Sequence, residues 1–388
     1  MIRKSVAAIC LCLLIFLPLH ALGQEWETGS IDMKVDDLFR RGRTVGGSVV
    51  IAHKGEVVYA RDYGYQNLRR REPVTADTYF RVASVTKMVT GIGTMRLFEK
   101  GMLDPDGDIS AYFGYKIRNP RHKDTPLTLR QLMSHTSSVS ENGGFSNIRR
   151  TVHDMLSTDV DRPSNFESWA PGSAYQYSNF GAGLVGAVME AAAGKSVNAV
   201  VREEVFAPLD MDAAYAASLL KEPQHIASQY ENGKLNKAAS LYIKEGYEDT
   251  ADPEKHFRTT VGELWIRSRD LAKLAVALCG DGSVDGERLL SPQSVNLMRA
   301  EQKLLGGSVK GDSPYGLFVQ RVDSILEGKM LYGHQGLSNG RCSNVYFDPD
   351  EEFVFVMTTN GASNARDKGV AVLAQNLLRF LYPLVVGQ

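Results

Sequence analysis

Apolar residues follow a strand-like pattern near both ends of the chain and recur with helical spacing through its middle. Residues 47–59 read as a hairpin: Val49 and Ile51 mark one face, His53-Lys54-Gly55-Glu56 turns, and Val57-Val58-Tyr59 returns. Residues 344–347 and 353–359 form a second hairpin around Asp348-Pro349-Asp350. Between them, Val85, Met88, Val89, Ile92 and Met95 repeat at helical spacing until Gly101 stops the run. Residues 127–135, 181–193 and 270–278 also read as helices, and a last helix is expected over roughly residues 367–381. No internal repeat or low-complexity linker appears. The pattern predicts an α/β (α+β) fold, with one antiparallel sheet built from both chain ends, about residues 31–80 and 290–388, and flanked by helices. A mostly helical lobe, about residues 84–285, completes it, and ligand sites favour the cleft between two such lobes. Residues 221–258, polar and rich in Lys, Glu and Tyr, are a candidate surface insertion near that cleft, with a plain solvated loop as the preferred reading.

The start of the chain stands outside this pattern. Met1 to Lys4 carry positive charge, residues 5–19 are apolar, and Ala21-Leu22-Gly23 puts small residues at −3 and −1 before Gln24. Residues 1–23 are therefore expected to be a signal peptide, and residues 24–388 a single exported domain, periplasmic or secreted. The apolar run is short for a membrane span and contains Pro18, so no stable span is expected after cleavage. Composition is that of an ordinary globular chain: 43% of the 388 residues are hydrophobic and 23% charged, which excludes collagen-like, disordered and coiled-coil classes. With 44 Lys+Arg against 45 Asp+Glu, no basic surplus points to nucleic acid. Beyond the leader, Cys279 is expected to end a helix and Cys342 to start a strand. Pairing and two buried free thiols both remain open.

Several catalytic patterns lack the context they need. Gly336-Leu337-Ser338-Asn339-Gly340 matches the nucleophile elbow G-x-S-x-G, but that arrangement needs a later histidine, and the last of the eight is His334. Residues 181–186 match a dinucleotide fingerprint, with Glu203 and Glu204 about twenty residues on, yet a polar, tyrosine-rich segment replaces the required strand. Small residues for close helix packing are the plainer reading. Residues 104–108 resemble a calcium loop only in acid count. No histidine pair has zinc-motif spacing, so no metal site is read from these residues.

One ordered set remains. Ser84-Val85-Thr86-Lys87 is S-x-x-K, Tyr177-Ser178-Asn179 is Y-x-N, and His334-Gln335-Gly336 follows late in the chain. Competing copies exist: Ser218 to Lys221, Tyr65 to Asn67, Tyr230 to Asn232, and His53 to Gly55. Context selects the first set, because Ser84 opens a long apolar helix, Tyr177 sits in a Pro-Gly-marked loop before another, and His334 leads toward a strand. A serine hydroxyl needs a neighbour to take its proton, and Lys87 lies one turn on along the same face. Desolvation together with nearby cations would lower the lysine's pKa enough to make it a base. The Ser84 amide at a helix start can face a developing oxyanion. Tyr177 can relay a proton, and Asn179 can hold a carbonyl. Structural roles fit each residue singly as well: Ser84 as a helix cap, Lys87 as a solvated side chain, Tyr177 and Asn179 as loop residues, and His334 at a strand entry.

Together these motifs resemble the serine β-lactamase and penicillin-binding-protein superfamily, closest to its class C-like branch. The resemblance spans residues 46–381 and includes Leu127 to Ser137 ending in H-T-S, Pro171-Gly172, and Pro208-Leu209-Asp210-Met211. It implies a cofactor-free acyl-enzyme hydrolase with Ser84 as nucleophile and Lys87 and Tyr177 sharing the base and acid roles. It further implies an oxyanion hole of the Ser84 and Leu337 amides, and substrate contacts from Asn179, His334, Gln335 and Gly336. The expected partner is a small-molecule or peptide-like substrate. His334 stands where a lysine usually engages a substrate carboxylate, and a partly charged histidine weakens that anchor. The resulting expectation is hydrolysis or transfer at an ester or D-amino-acid-type amide. Alternatives are a class C-like β-lactamase or D-Ala-D-Ala carboxypeptidase, and a penicillin-binding sensor that does not turn over. Ser137-Ser138 replaces the family's usual Ser-Gly, which leaves the conformation of that loop open.

Overall fold

The structure is a computed structural model and describes residues 28–387, except 143, 146, 148, 159–164 and 305–314. The expected leader lies outside the described residues. The chain opens with α1 (Thr28–Arg41), then β1 (Gly46–His53), β2 (Glu56–Asn67), β3 (Glu72–Pro73) and β4 (Tyr79–Arg81). The middle supplies α2 (Val85–Glu99), α3 (Asn179–Ala193), α4 (Thr259–Gly262), β5 (Trp265–Arg267) and α5 (Ser268–Cys279). The C-terminal part supplies β6 (Gln320–Val322), β7 (Leu331–Ser338), β8 (Arg341–Asp348), β9 (Phe353–Thr359) and α6 (Val372–Val386). Seven strands form one antiparallel sheet in the order β6-β7-β8-β9-β1-β2-β3, so β9 pairs with β1 and joins the chain ends.

Both faces of this sheet are covered. Val50, Val345 and Val356 pack toward the helical lobe, while Val49, Ile51, Phe353 and Phe355 pack against α1 and α6. That explains why the central strands read as nearly continuous apolar runs, since alternation loses its polar half when both faces are buried. α2 is similarly enclosed, with 12 of its 15 residues buried, so it runs through the core instead of lying over it. Thr90 and Thr94 satisfy their hydroxyls on the helix's own carbonyls, donating to Thr86 O and Thr90 O at 2.9 Å each.

Several local expectations change. The last helix begins at Val372, because residues 366–371 form a small ladder pairing Arg366 with Ala371. Within 127–135 only Leu129–Met133 is helical, started by a Thr128/Gln131 capping box and ended by His135 at φ +58°. The segment 221–258 is not a plain solvated loop. Its 234–236 tip is exposed, but Tyr230, Tyr242 and Phe257 are buried and anchor it to the body. Gly183 and Gly186 let α3 approach closely, since added Cβ atoms would meet Phe257 O at 1.7 Å and Thr260 Cγ2 at 2.6 Å. Close packing is thus the use of that glycine pattern. The G-x-S-x-G segment ends β7 and turns into β8 through Asn339 (φ +47°) and Gly340 (φ +81°), a type I′ hairpin with no helix after it. Residues 104–108 form a turn in which Asp106 pairs with Arg130 and Asp108 with Arg118. Cys279 and Cys342 are both free and buried.

Candidate active site

Residues 82–84 form a tight turn between β4 and α2. Ala83 lies in the left-handed region at φ +48°, a conformation that costs a non-glycine residue about 1 kcal/mol. Thr86 holds the turn by donating to Ala83 O at 2.6 Å and accepting from Leu264 N at 3.2 Å. Ser84 sits at the N-cap of α2 but makes no capping bond with its side chain, so the hydroxyl is not spent on the helix.

Lys87, one turn on, is fully buried. Its Nζ donates to Val261 O at 2.8 Å, Asn179 Oδ1 at 2.9 Å and Ser84 Oγ at 3.3 Å, which uses all three ammonium protons. Burial lowers its pKa to about 7, with the Glu141 carboxylate opposing the shift. Desolvation is therefore the cause, and neighbouring cations are not. Tyr177 lies beside Ser84 with its ring 5.1 Å from Lys87 Nζ. Burial pushes its phenol well above the usual range, so it carries its proton at neutral pH. Asn179 is the first residue of α3, where Ser178 caps the helix by accepting from Gly181 N at 2.9 Å. With Oδ1 taken by Lys87, the Asn179 amide NH2 remains for a ligand carbonyl.

Gly336 explains how β7 reaches Ser84. A Cβ there would lie 2.3 Å from Val82 O and 3.0 Å from Ser84 N. Only glycine lets the strand backbone approach the turn this closely. Ser338 and Arg341 close the hairpin, so ladder alternation leaves the Leu337 amide on the edge facing Ser84.

The rest of the third motif differs from the direct contacts expected of it. His334 is 1% exposed and both ring nitrogens are engaged: Nδ1 donates to Gln335 O at 2.7 Å, and Nε2 accepts from Tyr315 Oη at 2.5 Å. Burial, followed by the Lys87 charge, lowers its pKa to about 3, so it is uncharged at neutral pH instead of partly charged. Gln335 projects from the other face of β7 and donates to Gly369 O at 2.8 Å. A cleft of about 280 Å³ opens beside Ser84, walled by Asn179, Leu337, Ser338, Arg258 and Arg341 among others. His334, Gln335 and Gly336 are not among its walls.

The His135 ring lies tilted against Tyr177 with ring centres 4.3 Å apart, and its Nδ1 accepts from Ser178 N at 3.2 Å. Ser138 adopts φ +64°, the left-handed conformation glycine favours, and its Oγ accepts from Asn119 Nδ2 at 3.0 Å. The Ser-Ser variant of the loop thus keeps a glycine-type conformation. The competing motif copies lie in other elements: a 3-10 turn at 217–219, strand β2, the 229–237 hairpin and the β1–β2 turn. Sequence reasoning missed Val261, Tyr315 and Glu141, whose Oε1 accepts from Asn179 N at 2.6 Å. None carries a local signal, since each acquires its place through contacts many residues away.

Comparison with known proteins gives the same picture of the fold. The model of the family described as Beta-lactamase matches residues 31–378. Esterase EstB of Burkholderia gladioli is 30% identical over 218 residues, covering 53% of this chain and 55% of the esterase. This chain spans about half the length of the curated relatives it matches. The D-amino acid amidase of Ochrobactrum anthropi SV3 superposes with a TM-score of 0.68 at 20% identity, covering 93% of this chain and 99% of the amidase. An octameric penicillin-binding protein homologue from Pyrococcus abyssi gives 0.67 at 23% identity, covering 93% and 78% respectively.

Proposed function

The chain belongs to the Beta-lactamase family, a family of serine hydrolases, and on that premise we propose that it is an exported hydrolase acting through an acyl-enzyme on Ser84. Its substrate in this reading is a small-molecule or peptide-like ester or D-amino-acid-type amide, cleaved by water or transferred to another acceptor. One observation carries the proposal: a buried lysine Nζ, with its pKa near 7, joins Ser84 Oγ to Asn179 Oδ1 beside an open cleft.

The neutral Lys87 amine takes the Ser84 proton as Oγ attacks the substrate carbonyl carbon. The carbonyl oxygen becomes an oxyanion held by the Ser84 and Leu337 amides. Tyr177 gives its phenolic proton to the departing oxygen or nitrogen, and Lys87 restores it. The products are an alcohol or amine and an ester on Ser84. A water molecule, losing a proton through the same pair, then attacks that ester and releases the acid. An uncharged His334 offers no cationic anchor for a leaving-side carboxylate, which favours simple esters and amides over efficient β-lactam turnover. Export rests on the 1–23 leader pattern.

The test is a panel of nitrocefin, p-nitrophenyl butyrate and D-alanyl p-nitroanilide, with Ser84→Ala as control and intact-mass detection of adducts. Turnover of the ester or amide that vanishes in Ser84→Ala is expected. Stoichiometric labelling of Ser84 with no turnover would point to a sensor instead, and activity surviving in Ser84→Ala would overturn the mechanism.

A further inference from the structure

The walls of the cleft carry an unusual charge balance. Arg81, Arg258 and Arg341 face it, against one carboxylate, Glu263. Glu263 is already ion-paired to Arg81, whose Nε also donates to Gly262 O at 3.1 Å. The other two arginines have no carboxylate partner among the described residues. Arg258, half-buried, lies with its guanidinium 5.8 Å from the Phe145 ring centre. Arg341 is only 6% exposed and donates to two neutral oxygens, Gln229 Oε1 at 3.0 Å and Ser338 Oγ at 3.1 Å. Its buried Nε has no acceptor among the described residues. A buried guanidinium with an unused donor is costly unless something anionic completes it. The Glu141 carboxylate beside Asn179 is held by the Asn179 amide at the start of α3.

Position decides which part of a substrate meets these charges. With the carbonyl carbon over Ser84 Oγ and its oxygen between the Ser84 and Leu337 amides, the leaving group departs on the Tyr177 side. The remaining substituent, the acyl side chain, then projects into the cleft bounded by Asn179, Leu337, Ser338 and the arginines. We propose that this cleft is an anion-selecting acyl subsite, in which Arg258 and Arg341 bind a carboxylate carried on the acyl portion of the substrate. Preferred substrates are then monoesters or monoamides of short dicarboxylic acids. The proposal rests on the acyl-enzyme reading, because it assumes that Ser84 is the acylated residue.

The experiment compares mono(4-nitrophenyl) glutarate with p-nitrophenyl butyrate, close in size but differing in charge, on the full chain at low ionic strength. The rate of Ser84→Ala is subtracted to remove spontaneous ester hydrolysis. Charge-assisted hydrogen bonds to the carboxylate should raise kcat/KM for the glutarate ester at least about tenfold over the butyrate ester. That ratio should fall to within about threefold of unity in Arg258→Gln and Arg341→Gln, and shrink as salt rises. Among the described residues the Arg258 side chain makes only a ring contact, so its variant decides the matter if the buried Arg341 variant does not fold. A wild-type ratio at or below unity, or a ratio unchanged in Arg258→Gln, would overturn the subsite and leave the acyl-enzyme reading standing. Absence of Ser84-dependent hydrolysis of any ester or amide would overturn the reading beneath it.

Discussion

Replacing Gly336 by alanine tests the geometry of the proposed oxyanion hole without touching a titratable group. The new methyl group would sit 2.3 Å from Val82 O, 3.0 Å from Ser84 N and 3.1 Å from Ala83 Cβ. Two of these three neighbours are backbone, so rotation of a side chain cannot relieve the overlap. Moving a carbon from 2.3 Å to an ordinary contact of 3.4 Å requires β7 and the 82–84 turn to separate by roughly 1 Å. That separation moves the Leu337 amide away from the Ser84 amide, and an oxyanion can then be held well by only one of them. Loss of one such donor lowers kcat by about 10²–10³. Overpacking of this kind costs about 1–3 kcal/mol of stability, which a domain with cores on both faces of its sheet should survive. The assay is steady-state hydrolysis of p-nitrophenyl butyrate, with circular dichroism and thermal melting to establish folding. Gly29→Ala serves as the control, since nothing lies within 4 Å of its added Cβ. A folded Gly336→Ala protein keeping more than a tenth of the wild-type kcat would refute the reasoning.

Further outcomes follow from the same contacts. Because burial lowers Lys87 to about 7 and the base must be neutral, kcat/KM should rise with pH through a midpoint near 7, not near 10.5; a profile flat from pH 5 to 9 would contradict it. His334, lowered to about 3, should remain the neutral Nδ1–H tautomer from pH 8 down to 5 in long-range 1H–15N spectra, and a titration near 6.5 would argue against its burial. Asn119→Ala removes buried contacts to Ser138 Oγ, Glu167 O and Trp169 O and should lower unfolding free energy by about 1–3 kcal/mol in urea titrations. Ser138→Gly, which relieves a left-handed serine but loses one hydrogen bond, should change it by less than about 1 kcal/mol.

The parts of the site that were legible are those whose geometry is local. Ser84 and Lys87 are three residues apart on a helix, so their encounter follows from 3.6 residues per turn. Ser178 and Asn179 open α3 where a polar loop meets a small-residue helical run, and that boundary is visible in the residues themselves. The hairpins were visible for the same reason, although double-sided burial disguised their alternation. Gln335 shows the limit: its place in a motif said nothing of which strand face it occupies, and register placed its side chain away from Ser84.

From the sequence alone one could derive the order of the elements, the family resemblance and a serine–lysine pair on one helix face. Whether Lys87 is a solvated cation or a buried amine with a lowered pKa was decided only by tertiary structure. That outcome depends on Val261 O, Asn179 Oδ1 and full enclosure of α2, contributions from segments 92 and 174 residues away. The charge of His334 was settled in the same way, as was the lack, among the described residues, of a carboxylate partner for Arg258 and Arg341. Covalent spacing encodes short-range geometry, whereas desolvation and distant contacts arise only when remote segments pack and exclude water.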